Sequence, residues 1–295
     1  MTALVALVLL VATACGGGGT TGGRPASAAG PAATARQEAV PDRPELLVAT
    51  TTSTQDSGLL DILIPDFERR TGYRVKTTAV GTGAALAIGA KGDADVVLVH
   101  AISAELAFMA GGNGDRRLLV MHNDFILTGP PSDPAKIKGK PILDGLSAIV
   151  ATGTPFISRG DKSGTDILEK SLFKQAGITP GAPWYIESGT GMGQSLTVAS
   201  ERKAYIITDR ATFLARRGQL ALEISIEGGA PLLNPYHVIT VNTAKFPRVN
   251  GKGADAFADY LVSERGQTLI ATFGKDTYGQ PLFFADAGKR VEDLR

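Results

Sequence analysis

The amino-acid sequence predicts an α/β protein of two lobes, each a mostly parallel sheet flanked by helices. Three observations carry the prediction. Short apolar runs alternate with amphipathic stretches of helical period, which is the pattern of βαβ units. The chain has 295 residues, 43% of them apolar, enough to build two lobes of ordinary size. Hydroxyl- and glycine-rich turns fall where strands hand over to helices, the place where α/β sheets bind ligands.

The N-terminal stretch reads as an address. Ala3 to Val11 is apolar and uncharged, but a membrane span takes about 20 apolar residues, so the run reads as the core of a secretory signal. Ala12-Thr13-Ala14 leads into Cys15, the only cysteine. This resembles a bacterial lipobox, which implies lipidation at Cys15 and anchoring outside the cell membrane. Residues 1–15 are therefore expected to be the signal. Residues 16–44, rich in Gly, Ala, Thr, Ser and Pro, cannot bury enough apolar surface to offset their ordering entropy and are expected to be a tether.

The folded body is expected from Glu45. Leu46–Ala49 reads as a buried strand, and Leu59 to Phe67 as a helix ending at Gly72, kinked or restarted by Pro65. Tyr73–Val80 alternates like a strand. Thr82–Ala90 follows as a helix, Val96–Val99 as a strand and Ser103–Ala110 as a helix. Ile149–Thr152 and Phe156-Ile157 read as strands. Ser163–Ala176 is a helix stopped by Gly177, and Met192–Arg202 another. Ala204–Thr208 reads as a strand, Asp209–Arg217 as a helix and Val238–Val241 as a strand. Ala254–Val262 and Glu264–Phe273 complete the set as helices.

Composition removes several functions. Thirty Lys+Arg against 29 Asp+Glu give no basic excess for nucleic acid. One cysteine excludes a disulfide framework or a Cys-rich metal site. His100, His122 and His237 lie far apart and read as structural, and Asp93, Asp95 and Glu105 lack metal-ligand spacing, the Asp93/Asp95 pair being explained by a solvated turn. Trp184, Tyr185 and Tyr236 read as packing aromatics. No cofactor is expected.

Three turns share one physical logic. They are Thr50-Thr51-Thr52-Ser53-Thr54, Gly81-Thr82-Gly83, and Ser158-Arg159-Gly160-Asp161-Lys162-Ser163-Gly164-Thr165. Each sits at a helix start, where unpaired N–H groups and the helix dipole favour an anion. Hydroxyls add donors, glycines admit the backbone, and Arg159 supplies a forked contact. Together they describe a cage for a small oxyanion. A bare carboxylate would repel such a guest, so Asp161 is expected to pair with Arg159.

The order of these turns resembles the tungstate-binding component of bacterial ABC importers. Gly92-Asp93-Ala94-Asp95-Val96, Leu98-Val99-His100, Met121-His122-Asn123-Asp124-Phe125, Trp184-Tyr185, Gly191-Met192-Gly193, Thr208-Asp209-Arg210 and Asn234-Pro235-Tyr236 continue the likeness across residues 46–275. The resemblance implies a type II periplasmic-binding-protein fold. Lobe one would comprise residues 45–125 and 236–295 and lobe two 126–235, with crossings near Asp124–Thr128 and Pro235–Thr240. It implies Thr51, Thr52, Ser53, Thr82, Gly83, Arg159, Ser163, Gly164 and Thr165 as ligand-binding residues. Tungstate or molybdate would be the guest, and a membrane permease with its ATPase the partners of a monomer. Sulfate and phosphate are alternative guests, and an extracytoplasmic sensor is an alternative use. A secreted hydrolase using Ser163 or Ser53 is a rival of another class. Against it, no Gly-x-Ser-x-Gly elbow occurs and no His is close to either Ser in sequence.

Overall fold

A computed structural model describes residues 41–294. The expected signal, Cys15 and most of the expected tether lie outside the described residues. Arg43 already donates to the carbonyls of Arg248 and Val249, at 2.6 and 3.2 Å, and Arg74 N–H donates to Pro44 O. The body thus takes hold of the chain just before its first strand.

The chain enters through β1 (Glu45–Thr51), whose buried Leu46 and Val48 alternate with exposed positions before the strand becomes buried throughout. It turns directly into the short helix α1 (Thr52–Asp56), with the Thr51 side chain as N-cap. Next comes α2 (Leu60–Thr71), closed by the left-handed Gly72. Pro65 lies inside this single helix, where a kink or restart was expected. Pro65 and Asp61, four residues before it, are both exposed, so the carbonyl deprived of its partner faces water. Then follow β2 (Arg74–Val80), α3 (Thr82–Gly89), β3 (Val96–Val99) and α4 (Ile102–Ala110).

The next strand, β4 (Gly114–Gly129), is 16 residues long. Beyond it, Ile149–Thr152 closes α5 (Ile142–Thr152) and is not the expected strand: buried Ile142, Gly145, Leu146 and Ile149 follow helical spacing. β5 (Phe156–Ser158), α6 (Gly164–Gln175), β6 (Tyr185–Glu187), α7 (Met192–Arg202), β7 (Ile206–Asp209), α8 (Arg210–Arg216) and β8 (Glu223–Ile226) follow. The chain returns through β9 (Leu233–Val241) and ends in α9 (Gly251–Val262), α10 (Glu264–Thr272), α11 (Lys275–Tyr278) and β10 (Phe284–Ala285).

Strand directions are mixed, a correction to the mostly parallel sheets expected. β1 is parallel to β2 and β3, and β5 to β6, as crossover helices require. β4 and β9, however, are antiparallel to each other, and each is antiparallel to its further neighbours. A strand that leaves one part of the molecule and a strand that returns beside it must run in opposite directions. β4 also changes partners along its length. Gly114 to Asp124 pairs with β9, whereas Phe125 to Gly129 pairs with β7 and β8.

Three apolar clusters follow this division. One draws only on residues 125–232, including Phe125, Phe156, Phe173 and Tyr205. Another joins Ala49, Val97, Val99 and Phe108 to Ile239 and Val249. The third spans the two, packing Phe67 and Phe257 in the same cluster as Met192 and Phe213. Trp184 packs on Phe173 at 5.7 Å between ring centroids, and Tyr185 lies beside it in the same cluster.

Candidate functional site

The three hydroxyl-rich turns converge. Thr51 ends β1 and caps α1, Thr82 opens α3, and Ser163 caps α6 by accepting from Asp166 N–H at 3.2 Å. Helix starts are where backbone donors lack intrahelical partners, so hydroxyl-bearing residues are the natural occupants. Thr51, Ser53, Thr82, Ser163 and Thr165 are all fully buried.

Arg159 stands at the centre. It leaves β5, is 1% exposed and is the largest fully buried side chain among the described residues. Its Nη2 donates to Thr52 Oγ1 at 2.9 Å and to Asp161 Oδ2, so Asp161 pairs with the guanidinium as the sequence implied. Asp161 in turn accepts from Ser163 N–H at 3.0 Å. Arg159 Nε and Nη1 and Thr82 Oγ1 are buried and have no hydrogen-bond partner among the described residues. Buried polar atoms are almost always paired, so three unpaired ones around one turn make it a candidate site for a polar guest. Arg159 N–H groups can only donate, so that guest must accept.

Glycines let the turns meet. A Cβ on Gly81 would come 3.0 Å from Asp161 O, and one on Gly164 would come 2.8 Å from both Nδ1 and O of His100. Gly83 N–H donates to Lys162 O at 3.3 Å. Gly83 therefore joins α3 to the Arg159 turn, and its amide, expected to face the guest, is already engaged. The expected Ser163, Gly164 and Thr165 form the first turn of α6, with Thr165 Oγ1 3.9 Å from Met192 Sδ.

A family model described as a PBP superfamily domain matches residues 25–265. The chain belongs to the PBP superfamily. Among the relatives of this PBP chain, the tungstate-binding protein TupA of Peptoclostridium acidaminophilum is 47% identical over 247 residues, covering 83% of this chain and 86% of its own. A solved structure described as the tungstate ABC transporter from Geobacter sulfurreducens is 46% identical, with a TM-score of 0.72 over 78% of this chain and 98% of that one. The tungstate-binding protein TupA of Desulfovibrio alaskensis is 42% identical, with a TM-score of 0.68 over 83% and 99%. The two-lobed α/β binding-protein fold is therefore that of this chain.

This PBP holds a feature of its site that sequence spacing concealed. Ser53 Oγ lies 3.0 Å from His100 Nε2, and His100 Nδ1 lies 2.9 Å from Asn234 Oδ1. Asn234 Nδ2 donates to Asn123 Oδ1 at 2.7 Å, and Asn123 Nδ2 to Asp209 Oδ1 at 3.4 Å. An ionised carboxylate only accepts, so the chain of bonds has one direction. His100 Nδ1 carries the proton, and Nε2 accepts from the Ser53 hydroxyl. That tautomer follows from the network.

Ser, His and Asn in this order resemble a hydrolase relay. The chemistry argues otherwise. Burial pushes His100 down to about 4, too weak a base to remove a serine proton efficiently near neutral pH. The relay takes the single Ser53 hydroxyl proton to His100, so Ser53 is not the free donor to the guest that the resemblance implied. Burial likewise pushes Asp209 up to about 6 and Glu169, bonded by Tyr185 Oη at 2.7 Å, up to about 8. Burial thus disfavours the charged form of Glu169 beside the α6 start.

Asp95 departs from the solvated turn expected for it. It is buried and accepts from Leu47 N–H at 2.7 Å and Asn250 N–H at 2.6 Å. His122 pairs with Asp286 and His237 with Glu105, both remote in sequence.

Proposed function

We propose that this protein captures tungstate outside the cytoplasm and delivers it to an ABC importer, without chemistry on the guest. The observation that carries this reading is the buried guanidinium of Arg159, two of whose nitrogens have no partner among the described residues. The names of the relatives support tungstate as the guest. Their role in transport supports a binding function over an enzymatic one.

The proposed cage takes donors from Thr51, Thr52, Thr82, Arg159, Ser163, Gly164 and Thr165. Ser53, turned by His100, and Gly83, bonded to Lys162, complete its wall. Neutral dipoles and one guanidinium suit a dianion in a dry site, where each hydrogen bond strengthens as water leaves. Lobe one is residues 45–125 and 236–295 and lobe two 126–235. The exchange of β4 partners after Asp124 supports the first crossing. The pairing of β9 with the first part of β4 from Leu233 onward supports a return crossing near Pro235–Thr240. Hinge motion between the lobes would admit and seal the guest.

Calorimetric titration of the purified protein tests the reading. Tungstate should bind tightly, molybdate comparably because its charge and shape match, and sulfate and phosphate weakly. Absence of any tungstate heat, or tight binding of phosphate alone, would overturn it.

Delivery requires a permease with its ATPase, and attachment to the membrane follows from lipid on Cys15. No helix among the described residues is long and apolar enough to cross a membrane. The Cys15→Ser protein should leave the membrane fraction for the soluble one. Its retention on membranes would reject the anchor. A monomer suffices for this role, since one chain contributes every residue of the proposed cage.

A further inference from the structure

Asp56 ends α1, the place on a helix where the dipole disfavours a carboxylate. Its compensation comes from the other lobe. Asp56 Oδ2 accepts from Gly193 N–H, in the first turn of α7, at 2.9 Å. The preceding amide, Met192 N–H, donates to Thr52 Oγ1 at 3.3 Å. Two donors at the start of α7 are thus taken by side chains of α1. Gly193 makes the approach possible: a Cβ there would stand 2.8 Å from Asp56 Oδ2 and 2.7 Å from Arg216 Nη1. Gly191 performs the same service for Thr52, whose Cγ2 would lie 3.1 Å from an added Cβ.

We propose that Asp56 is a positioning residue for anion capture, a latch that caps α7 across the cleft and holds the lobes closed over the cage. The inference rests on the two-lobed capture reading above. Its logic is electrostatic. The start of α7 is a donor-rich helix end that could compete for the anionic guest. Asp56 supplies that end with a built-in carboxylate, so α7 serves closure while the α6 start and Arg159 face the guest. Thr52 joins the two tasks, accepting from Met192 on the latch side and from Arg159 on the cage side. Opening the cleft breaks the cap and leaves Asp56 at an unfavourable helix end, so the carboxylate favours the closed form.

The test compares wild type, Asp56→Ala and Asp56→Asn by small-angle X-ray scattering without ligand and by tungstate titration. Loss of a helix-capping side chain shifts an equilibrium by about fivefold to tenfold. Asp56→Ala should therefore show a larger radius of gyration and a tungstate Kd raised by about that factor. Its thermal midpoint should stay near that of the wild type, which a merely structural role would lower. Asp56→Asn keeps an acceptor without the charge and should fall between; it decides the matter if the alanine variant does not fold. Wild-type scattering together with wild-type affinity in the variants would overturn the latch. If the wild type itself bound no tungstate, the functional reading would fail, while the ligand-free scattering would still judge Asp56.

Discussion

Replacing Arg159 with alanine should weaken tungstate binding by about two to three orders of magnitude and leave the fold intact. The size follows from what the side chain does. Removing one partner of a buried charged contact costs roughly 2–5 kcal/mol, and each 1.4 kcal/mol or so is tenfold in Kd. Arg159 belongs in the middle of that range, because Thr82, Thr52 and the α6 start remain to hold the guest.

The fold should survive because Asp161, the carboxylate left behind, is not sealed in. Its side chain is 19% exposed and still accepts from Ser163 N–H. Arg159→Lys sharpens the reading. A lysine carries the charge but not the planar fork, so it should recover part of the affinity and little of the discrimination between tungstate and smaller oxyanions. Titration of both variants, with circular dichroism as the control for folding, checks the result. An alanine variant of unchanged affinity would remove Arg159 from the site.

The three turns of the proposed cage were legible in sequence because their chemistry is local. Thr50 to Thr54, Gly81-Thr82-Gly83 and the Arg159–Thr165 turn each carry residue types that only a helix start explains well, and all three converge in the fold. The wiring behind the cage was not legible. Ser53, His100 and Asn234 are joined across 47 and 134 residues, and Asp56 meets Gly193 across 137. No local pattern encodes such pairs. β4 escaped for another reason. Asp115, Arg116 and Arg117 interrupt its apolar rhythm, because that end of the strand is partly solvated and Arg116 bonds Asp255 and Asp259 of α9. Ile149–Thr152 misled in the opposite sense: a short apolar run has no period of its own, and only Ile142 and Leu146 upstream show that it ends a helix.

Glu105 gives the largest expected effect on stability. It lies on α4, fully buried, and serves three groups at once. Oε2 accepts from Arg117 Nε and Nη2 at 2.9 and 2.7 Å and lies 2.9 Å from His237 Nδ1. Oε1 accepts from Ala101 N–H at 2.8 Å, fixing the turn directly after His100. Alanine would leave a guanidinium, an imidazole and an amide without their acceptor. Breaking a buried ion pair from one side costs about 3–5 kcal/mol. The lower figure applies here, since the Arg117 side chain is 20% exposed and can recover some hydration. Urea unfolding should show that loss as a shifted midpoint at constant slope, with Glu105→Gln losing less because its amide oxygen can still serve Ala101. A loss under about 1 kcal/mol, the level of a surface ion pair, would mean that the cluster relaxes without its carboxylate. The same substitution should reach the cage only through the His100 turn, so tungstate affinity in the folded fraction should fall far less than in Arg159→Ala. A comparable fall in both variants would show that orientation of Ser53 by His100 matters to the guest as much as the guanidinium does.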